Sequence, residues 1–255
     1  MKILKAIILG LIQGITEFLP ISSSGHLIIA ERIMGLSNDL VFSLFLHLAT
    51  LLAVIMHYYE DIIFIIKNPR SKLAKSFYAS FLPTMILAFL FKNIIEENVL
   101  VNYIGFFFVL TSIIIFLPRI TNRRANFGLG VKTGIITGIA QGLACFPGIS
   151  RSGATVTTAV MCGAERKDAV KLSFLCSIPI IIGGALYELL FSSRMAIASI
   201  FGLPMILGFI AAFVSGIVAI KIVEKLVVNK KFHYFSYYLF VVGVILIINS
   251  FVCFM

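Results

Sequence analysis

The stretch Gln13-Gly14-Ile15-Thr16-Glu17-Phe18-Leu19-Pro20-Ile21-Ser22-Ser23-Ser24-Gly25-His26 places a polar break in the middle of an apolar run over residues 2–34. A second stretch, Pro147-Gly148-Ile149-Ser150-Arg151-Ser152-Gly153, interrupts the apolar residues 130–164 in the same way. Lipid cannot satisfy the backbone groups that such breaks free, so protein or a water-filled cavity must surround them. We therefore predict two re-entrant helix–loop–helix hairpins instead of two straight spans.

The composition indicates an integral membrane protein. Of the 255 residues 60% are hydrophobic and 13% are charged, and the mean hydropathy is +1.07. Soluble domains carry about 25% charged residues. Apolar runs long enough to cross a ~30 Å hydrocarbon core recur along the chain. We predict an all-α fold with six full transmembrane helices, at about residues 40–59, 77–92, 98–117, 169–190, 203–223 and 233–255.

The two breaks are copies of one another. A shift of 128 residues aligns seven identical pairs without a gap: Gln13 with Gln141, Gly14 with Gly142, Phe18 with Phe146, Ile21 with Ile149, Ser22 with Ser150, Ser24 with Ser152 and Gly25 with Gly153. An internal duplication explains this match. We predict one membrane domain, 1–255, made of repeat 1 at about 1–125 and repeat 2 at about 129–255. Each repeat holds three spans, an odd number, so the second repeat is expected to be inverted.

The basic residues suit a membrane topology better than a nucleic-acid partner. The net charge is +10, but most of the 21 lysines and arginines lie in short clusters between apolar runs. The positive-inside rule then predicts cytoplasmic loops at 60–76, 119–132, 166–171 and 221–231, and exterior termini. We expect no nucleic acid. The cysteines Cys145, Cys162, Cys176 and Cys253 show neither metal nor disulfide spacing, and we interpret them as small buried residues.

Polar side chains of the first break form a candidate site. Gln13 and Glu17 are four residues apart and share one helix face. Ser22 to Ser24 begin the returning half-helix, where free backbone N–H groups bind anions, although helix capping explains these serines equally well. His26 is a further candidate for the site. By contrast His47, His57 and His233 show no partner pattern, and we interpret them as structural.

The second break supplies a matching set of phosphate ligands. Ser150, Arg151, Ser152 and Thr155 lie at the equivalent helix start. A guanidinium group can clamp two phosphate oxygens, and glycines allow the backbone to approach them closely. Glu17 and Arg151 are costly inside a membrane, where ionisable residues tend to be functional.

The first stretch resembles the first signature of the bacterial undecaprenyl-diphosphate phosphatases of the bacitracin-resistance type, and Pro147 to Thr155 resembles the second. The resemblance implies removal of the terminal phosphate from undecaprenyl diphosphate, which recycles the lipid carrier of cell-wall synthesis. It also implies a multi-pass protein of the bacterial cell (inner) membrane, with a pocket open to its outer face. Glu17, Ser23, His26 and Arg151 fall on the catalytic positions of that family.

The same resemblance implies a divalent cation, Mg²⁺ or Ca²⁺, held by Glu17. Many relatives carry a second glutamate at the position of Gln13, so here that side chain is expected to act as a neutral oxygen ligand. The phosphate oxygens are expected to bind the residues at the two helix starts: Ser22, Ser24, Ser150, Arg151, Ser152 and Thr155. The attacking group stays open between Ser23 with His26 nearby, His26 itself, and an activated water.

A rival hypothesis is transport. Inverted repeats with half-helices that meet at the midplane are typical of secondary transporters, and the same polar groups would suit a flippase of polyprenyl phosphate. A passive channel is disfavoured because the spans lack a continuous polar stripe. The expected partners are a polyprenyl diphosphate lipid and the bilayer; whether the chain forms a homodimer is left open.

Overall fold

The computed structural model of the chain describes residues 2–36, 40–96, 103–120, 125–191 and 202–252. Parts of the predicted spans 98–117 and 233–255, and the residues 121–124, Arg194 and Cys253, lie outside these ranges. Within them the regular structure is eleven α-helices and no strand. The helices are α1 Ile3–Phe18, α2 Ser23–Ile33, α3 Leu40–His57, α4 Tyr59–Lys67, α5 Lys72–Glu96, α6 Ile104–Ile120, α7 Val131–Leu143, α8 Arg151–Met161, α9 Arg166–Phe191, α10 Leu203–Val228 and α11 Tyr234–Val252.

Three of these helices are long and apolar enough to cross a membrane, namely Lys72–Phe91, Arg166–Tyr187 and Leu203–Val228. The predicted span 40–59 is instead divided: α3 ends at His57, and the chain bends by 70° into α4. Counted as one span, this bent pair is a fourth. The helices α6 and α11 contain shorter apolar segments, Ile104–Ile120 and Tyr234–Ser250. The all-helical membrane architecture is therefore clear, while the number of six full spans remains a prediction.

The surface of the protein is apolar and much of its interior is polar. Large hydrophobic side chains such as Phe89 and Leu82 are mostly exposed, at 80% and 66%. Hydroxyl side chains, among them Ser76, Thr133 and Thr137, are fully buried. Lipid is as apolar as leucine, so small hydroxyl residues between helices contribute to close packing in a membrane, beside the buried hydrophobic clusters.

The helices of the two predicted repeats correspond closely. A shift of 128 residues brings α2, Ser23–Ile33, onto α8, Arg151–Met161, with the same first and last positions. The packing corresponds as well, since α1 lies against α10 while α7 lies against α5, and α6 packs on α11. This agreement supports an internal duplication. The inverted orientation of the second repeat stays a prediction.

Glycines allow the equivalent helix pairs to approach at backbone distance. A Cβ atom added to Gly10 of α1 would lie 2.2 Å from the carbonyl oxygen of Gly208 in α10. A Cβ atom added to Gly138 of α7 would lie 2.3 Å from the carbonyl oxygen of Ser80 in α5. Both contacts leave no room for a side chain. Close packing of small residues therefore holds α1 and α7, the entering helices of the two breaks, in place.

The two broken segments meet at their turns. The hydroxyl of Ser22 accepts a hydrogen bond from the backbone N–H of Gly148, at 3.2 Å, and the hydroxyl of Ser152 donates to the carbonyl of Leu19, at 3.1 Å. Thr111 of α6 fixes the second turn, because its hydroxyl donates to the carbonyl of Gly148 and accepts from the N–H of Ser150. The starts of α2 and α8 are thus brought together inside the protein.

Candidate active site

A buried carboxylate lies at the centre of the junction. Glu17 is in the last turn of α1, and its side chain is 4% exposed. One carboxylate oxygen, Oε1, accepts from the guanidinium of Arg151. The other, Oε2, accepts from the hydroxyl of Ser23 at 2.6 Å and from the side-chain amide of Gln13 at 3.0 Å. The predicted residues Gln13, Glu17, Ser23 and Arg151 therefore form one connected cluster, which joins the two halves of the chain.

The serine turn holds Ser23 at the start of α2. Ser22 is the N-cap, and its hydroxyl accepts from the backbone N–H of Gly25 at 3.4 Å and lies 3.3 Å from the hydroxyl of Ser24. The φ angle of Ser22 is +68°, a backbone conformation that residues other than glycine rarely adopt. Such conformations cluster at functional sites because the surrounding contacts must maintain them. Here the strained residue precedes the hydroxyl that contacts Glu17.

Arg151 occupies the first position of α8, after a turn whose capping residue Ser150 is extended, with a φ angle of −77°. Ser150 caps this helix by accepting from the N–H of Gly153 at 3.0 Å. The Nη2 atom of Arg151 binds Glu17, but Nη1 is buried and has no hydrogen-bond partner among the described residues. Buried donors in native proteins nearly always have a partner. An unused guanidinium donor beside two helix N-termini therefore fits a phosphate oxygen.

A cavity of about 160 Å³ lies between the two helix starts. At ~30 Å³ for each water molecule, this volume would hold about five waters, and so a head group rather than a polyprenyl chain. The lining residues come from both turns and from α1, α3, α7 and α9: Thr16, Glu17, Ser22, Ser23, Ser24, His47, Gln141, Ala144, Cys145, Ile149, Ser150, Arg151, Ile180 and Ile181.

Three predicted site residues are directed elsewhere. The imidazole of His26 donates from Nδ1 to the carbonyl of Ser22 at 2.8 Å, while Nε2 faces the hydroxyl of Tyr238 at 2.8 Å. Both ring nitrogens are therefore engaged away from Ser23. The hydroxyl of Thr155 contacts that of Ser173 at 2.6 Å between α8 and α9. Ser152 joins the two turns through the carbonyl of Leu19. These residues support the site without lining the cavity.

His47 of α3 was interpreted from the sequence as structural, yet it lies beside the carboxylate. Its Nε2 atom is 3.6 Å from Oε2 of Glu17. Its Nδ1 atom is 2.8 Å from the carbonyl oxygen of Ser43 and donates a hydrogen bond to it, because a carbonyl oxygen can only accept one. The sequence signal was present, because an ionisable residue within a predicted span is a functional candidate by default. The prediction from sequence applied this rule to Glu17 and Arg151 but not to His47, and so it did not include His47 among the site residues.

The residues present suit a hard divalent cation only in part. Among the described residues no three His, Cys, Asp or Glu side chains form a metal-binding group. The Oε1 atom of Gln13 is nevertheless buried without a hydrogen-bond partner in that part of the chain, in an amide group whose nitrogen donates to Glu17. One carboxylate and one amide oxygen suit a cation such as Mg²⁺, which takes its other ligands from water and substrate phosphates. The donor set is therefore compatible with a cation that arrives with a phosphate ligand.

Comparison with known proteins gives a consistent result. Residues 6–245 match the family model described as bacitracin resistance protein BacA. The undecaprenyl-diphosphatase of Carboxydothermus hydrogenoformans is 38% identical, over 97% of both chains. That of Thermosipho africanus is 37% identical over 94% of this chain and 97% of the relative. Undecaprenyl-diphosphatase 2 of Bacillus thuringiensis is 36% identical over 96% and 97%.

Proposed function

The chain belongs to the bacitracin resistance protein BacA family, and from this premise we propose that it is an undecaprenyl-diphosphatase whose reaction takes place between Glu17 and Arg151. It hydrolyses undecaprenyl diphosphate to undecaprenyl phosphate and inorganic phosphate, which returns the lipid carrier to peptidoglycan synthesis and opposes bacitracin. One observation carries the assignment of the site: a nucleophilic hydroxyl, a carboxylate and a guanidinium with an unused donor meet at two helix N-termini.

The terminal phosphate binds between the starts of α2 and α8. Arg151 donates to it from Nη1, and the N-termini of the two helices favour an anion between them. The hydroxyls of Ser24 and Ser150 line the cavity and complete this set. Ser22 and Ser152 act mainly by fixing the turns. Phosphoryl transfer depends chiefly on such positioning and charge neutralisation.

Ser23 is the nucleophile in this mechanism. Its Oγ atom attacks the terminal phosphorus, the bond from phosphorus to the bridging oxygen breaks, and undecaprenyl phosphate leaves with the bonding electron pair. Water then attacks the phosphoserine, which releases inorganic phosphate and restores the hydroxyl. The proton of Ser23 passes to Glu17, along the hydrogen bond of 2.6 Å. Glu17 then passes this proton to the bridging oxygen of the departing undecaprenyl phosphate. In the second step the carboxylate takes a proton from the attacking water and gives it to the Oγ atom of Ser23, so that Glu17 ends the cycle ionised.

Glu17 is a better candidate for the base than His26. The carboxylate already accepts the hydrogen bond of Ser23, whereas the ring nitrogens of His26 face Ser22 and Tyr238. His26 positions the strained turn before Ser23. His47 faces the same carboxylate oxygen and orients it.

Glu17 and the side-chain oxygen of Gln13 would hold a divalent cation, Mg²⁺ or Ca²⁺. When bound, it neutralises the charge that develops on the phosphate oxygens. Gln13 contributes a neutral oxygen and takes no part in proton transfer, while its amide group keeps Glu17 oriented at 3.0 Å.

The topology completes the proposal. The units α1–α2 and α7–α8 are re-entrant hairpins, and six further segments cross the cell (inner) membrane in two inverted repeats. The basic loops then face the cytoplasm, and the cavity opens toward the outer face. Burial of the polar turns supports this arrangement, because lipid cannot satisfy them.

The decisive experiment measures phosphate release from undecaprenyl diphosphate by the purified protein in detergent. The wild type is assayed with Mg²⁺ and with EDTA, beside Glu17→Ala and Arg151→Ala. The matched control variants Glu60→Ala and Arg70→Ala remove exposed charges. We expect metal-dependent release that both site variants abolish and both controls retain. A folded wild type that binds the lipid without releasing phosphate would instead favour the transporter, and liposome flux would test it.

A trapping experiment tests the nucleophile separately. Substrate labelled with ³²P in the terminal phosphate is mixed with enzyme and quenched in denaturant. We expect protein-bound label in the wild type and in Ser24→Ala, and none in Ser23→Ala. Full activity of Ser23→Ala would eliminate this nucleophile while leaving the phosphatase assignment intact.

A further inference from the structure

A second cavity, of about 150 Å³, lies at the other end of α8. It lies where the final turns of α6, α8 and α10 meet the first residues of α9 and the segment before α11. From Arg151 to Val160, which lines it, α8 rises about 14 Å. The two cavities therefore have separate linings and lie at opposite ends of one helix.

Basic side chains surround this second cavity. Arg119, Arg166 and Lys230 line it, and none of the lining residues is a carboxylate. His233 also lines it, with Nδ1 2.9 Å from the carbonyl of Lys230, so that Nε2 is the ring nitrogen left for a ligand. The local field is positive, which excludes a cationic ligand and favours an anionic one.

A buried hydroxyl provides independent evidence for a ligand. Thr157 lines the cavity and is 3% exposed, yet its Oγ1 atom has no hydrogen-bond partner in the described part of the chain. Nearby buried hydroxyls are engaged: Thr155 contacts Ser173, and Thr111 donates to Gly148. A native protein seldom leaves a buried polar atom unpaired. A ligand in this cavity that accepts a hydrogen bond from the hydroxyl of Thr157 would also neutralise Arg119 and Lys230.

The positive-inside rule and the helix dipoles explain part of this charge, because basic residues stabilise helix C-termini and favour the cytoplasmic side. They do not explain a cavity with an unused buried hydroxyl. The floor is apolar, with Ile115, Val156 and Val227. Basic pockets between membrane helices on the cytoplasmic side bind lipid phosphate groups.

We propose that this cavity is a second phosphate-binding site, which takes the phosphate head group of an anionic membrane lipid beside Arg119, Lys230 and Thr157. The proposal does not depend on the catalytic assignment, since no residue is shared with the catalytic cavity. Inorganic phosphate has the same chemistry, so the experiment includes it as a competitor.

Native mass spectrometry of the full chain in detergent can count bound lipids during titration with phosphatidylglycerol or phosphatidylcholine. We expect the wild type to prefer phosphatidylglycerol. In Arg119→Gln/Lys230→Gln, the affinity for phosphatidylglycerol should fall about 25-fold, or fivefold for each charge near the surface. The control Lys221→Gln/Lys225→Gln changes the net charge by the same amount, at exposed positions of α10 outside the cavity. This control should retain the wild-type affinity for phosphatidylglycerol.

Thr157→Val provides a second variant that keeps the charge and the shape. We expect an affinity loss of about tenfold, as for a hydrogen bond to a charged group, with phosphatase activity unchanged. If millimolar inorganic phosphate displaces the lipid, the site recognises the phosphate group that the two ligands share. If the lipid stays bound, the site is specific for the lipid.

Equal binding by the wild type, both double variants and Thr157→Val would overturn the proposal. So would binding that persists in these variants but disappears in Arg151→Ala, because it would then belong to the catalytic cavity.

Discussion

From the ion pair between Glu17 and Arg151 we predict that replacing both residues restores the stability lost in a single variant but does not restore activity. The two side chains are 4% and 17% exposed. Removing one partner of a buried pair costs roughly 3–5 kcal/mol, because the other charge stays behind. For Arg151→Gln we expect a loss of stability of about 3 kcal/mol, the lower end of that range, because Ser23 and Gln13 still donate hydrogen bonds to Glu17. For a chain of this size, that loss lowers Tm by about 6–12 °C.

The double variant Glu17→Gln/Arg151→Gln should recover most of this stability. Replacing both charges by neutral groups of similar volume is often neutral or stabilising, so we expect Tm within about 3 °C of the wild type. Activity should nevertheless be absent in both single variants and in the double variant. A thiol-reactive dye reports unfolding, since Cys162 and Cys176 are 4% and 1% exposed in the folded protein. Phosphate release measured on the same preparations gives the activity.

The pair Lys171–Asp61 is a matched control. Its side chains are 23% and 25% exposed, and the nitrogen–oxygen distance is 2.6 Å. Lys171→Gln should therefore cost about 1 kcal/mol or less, with activity retained. The reasoning fails if the double variant is no more stable than Arg151→Gln, because the two charges would then not be coupled. It fails equally if the double variant hydrolyses the substrate at the wild-type rate.

Three further expectations follow from the contacts. His26→Asn can still donate to the carbonyl of Ser22, so it should retain at least about tenfold more activity than His26→Ala; equal loss would make His26 an acid–base group. Gly138→Ala, whose new Cβ would meet a backbone oxygen at 2.3 Å, should lose about 1–3 kcal/mol, whereas Gly183→Ala has open space and should stay near neutral in the same dye assay. His47→Ala should reduce kcat about tenfold or more by freeing the carboxylate that it faces, and wild-type kcat would contradict its role.

The broken helices and their pairing were predictable because their cause is local. A polar turn inside an apolar run must be covered by protein, and two matching turns predict one shared site. The contact between Glu17 and Arg151 agrees with that prediction across the two halves of the chain. Capping by the serines of the first break was also predicted, and Ser22 does cap α2, while Ser150 caps α8 at the corresponding position. Both capping serines line the cavity, so capping does not exclude the ligand binding that we propose.

Side-chain direction was not predictable in the same way. His26 lies three residues beyond Ser23 on the same short helix, but its ring stacks between Phe108 and Tyr238 instead of turning toward Ser23. His47 is distant in sequence and reaches Glu17 only because α3 packs beside α1. The break after His57 had no proline or glycine to mark it, and it divides a run that hydropathy presents as one span. Tertiary packing decides all three.

The catalytic cluster depends on the positions at which the two repeats differ. A shift of 128 residues aligns Glu17 with Cys145 and Ser23 with Arg151. Each half supplies a helix start capped by a serine, with serine hydroxyls 3.3 Å apart in one and 3.2 Å apart in the other. Two glutamates at these places would repel each other, and two arginines would leave no nucleophile. Duplication therefore provides the anion-binding frame, and divergence within it gives the carboxylate and hydroxyl to one half and the guanidinium to the other.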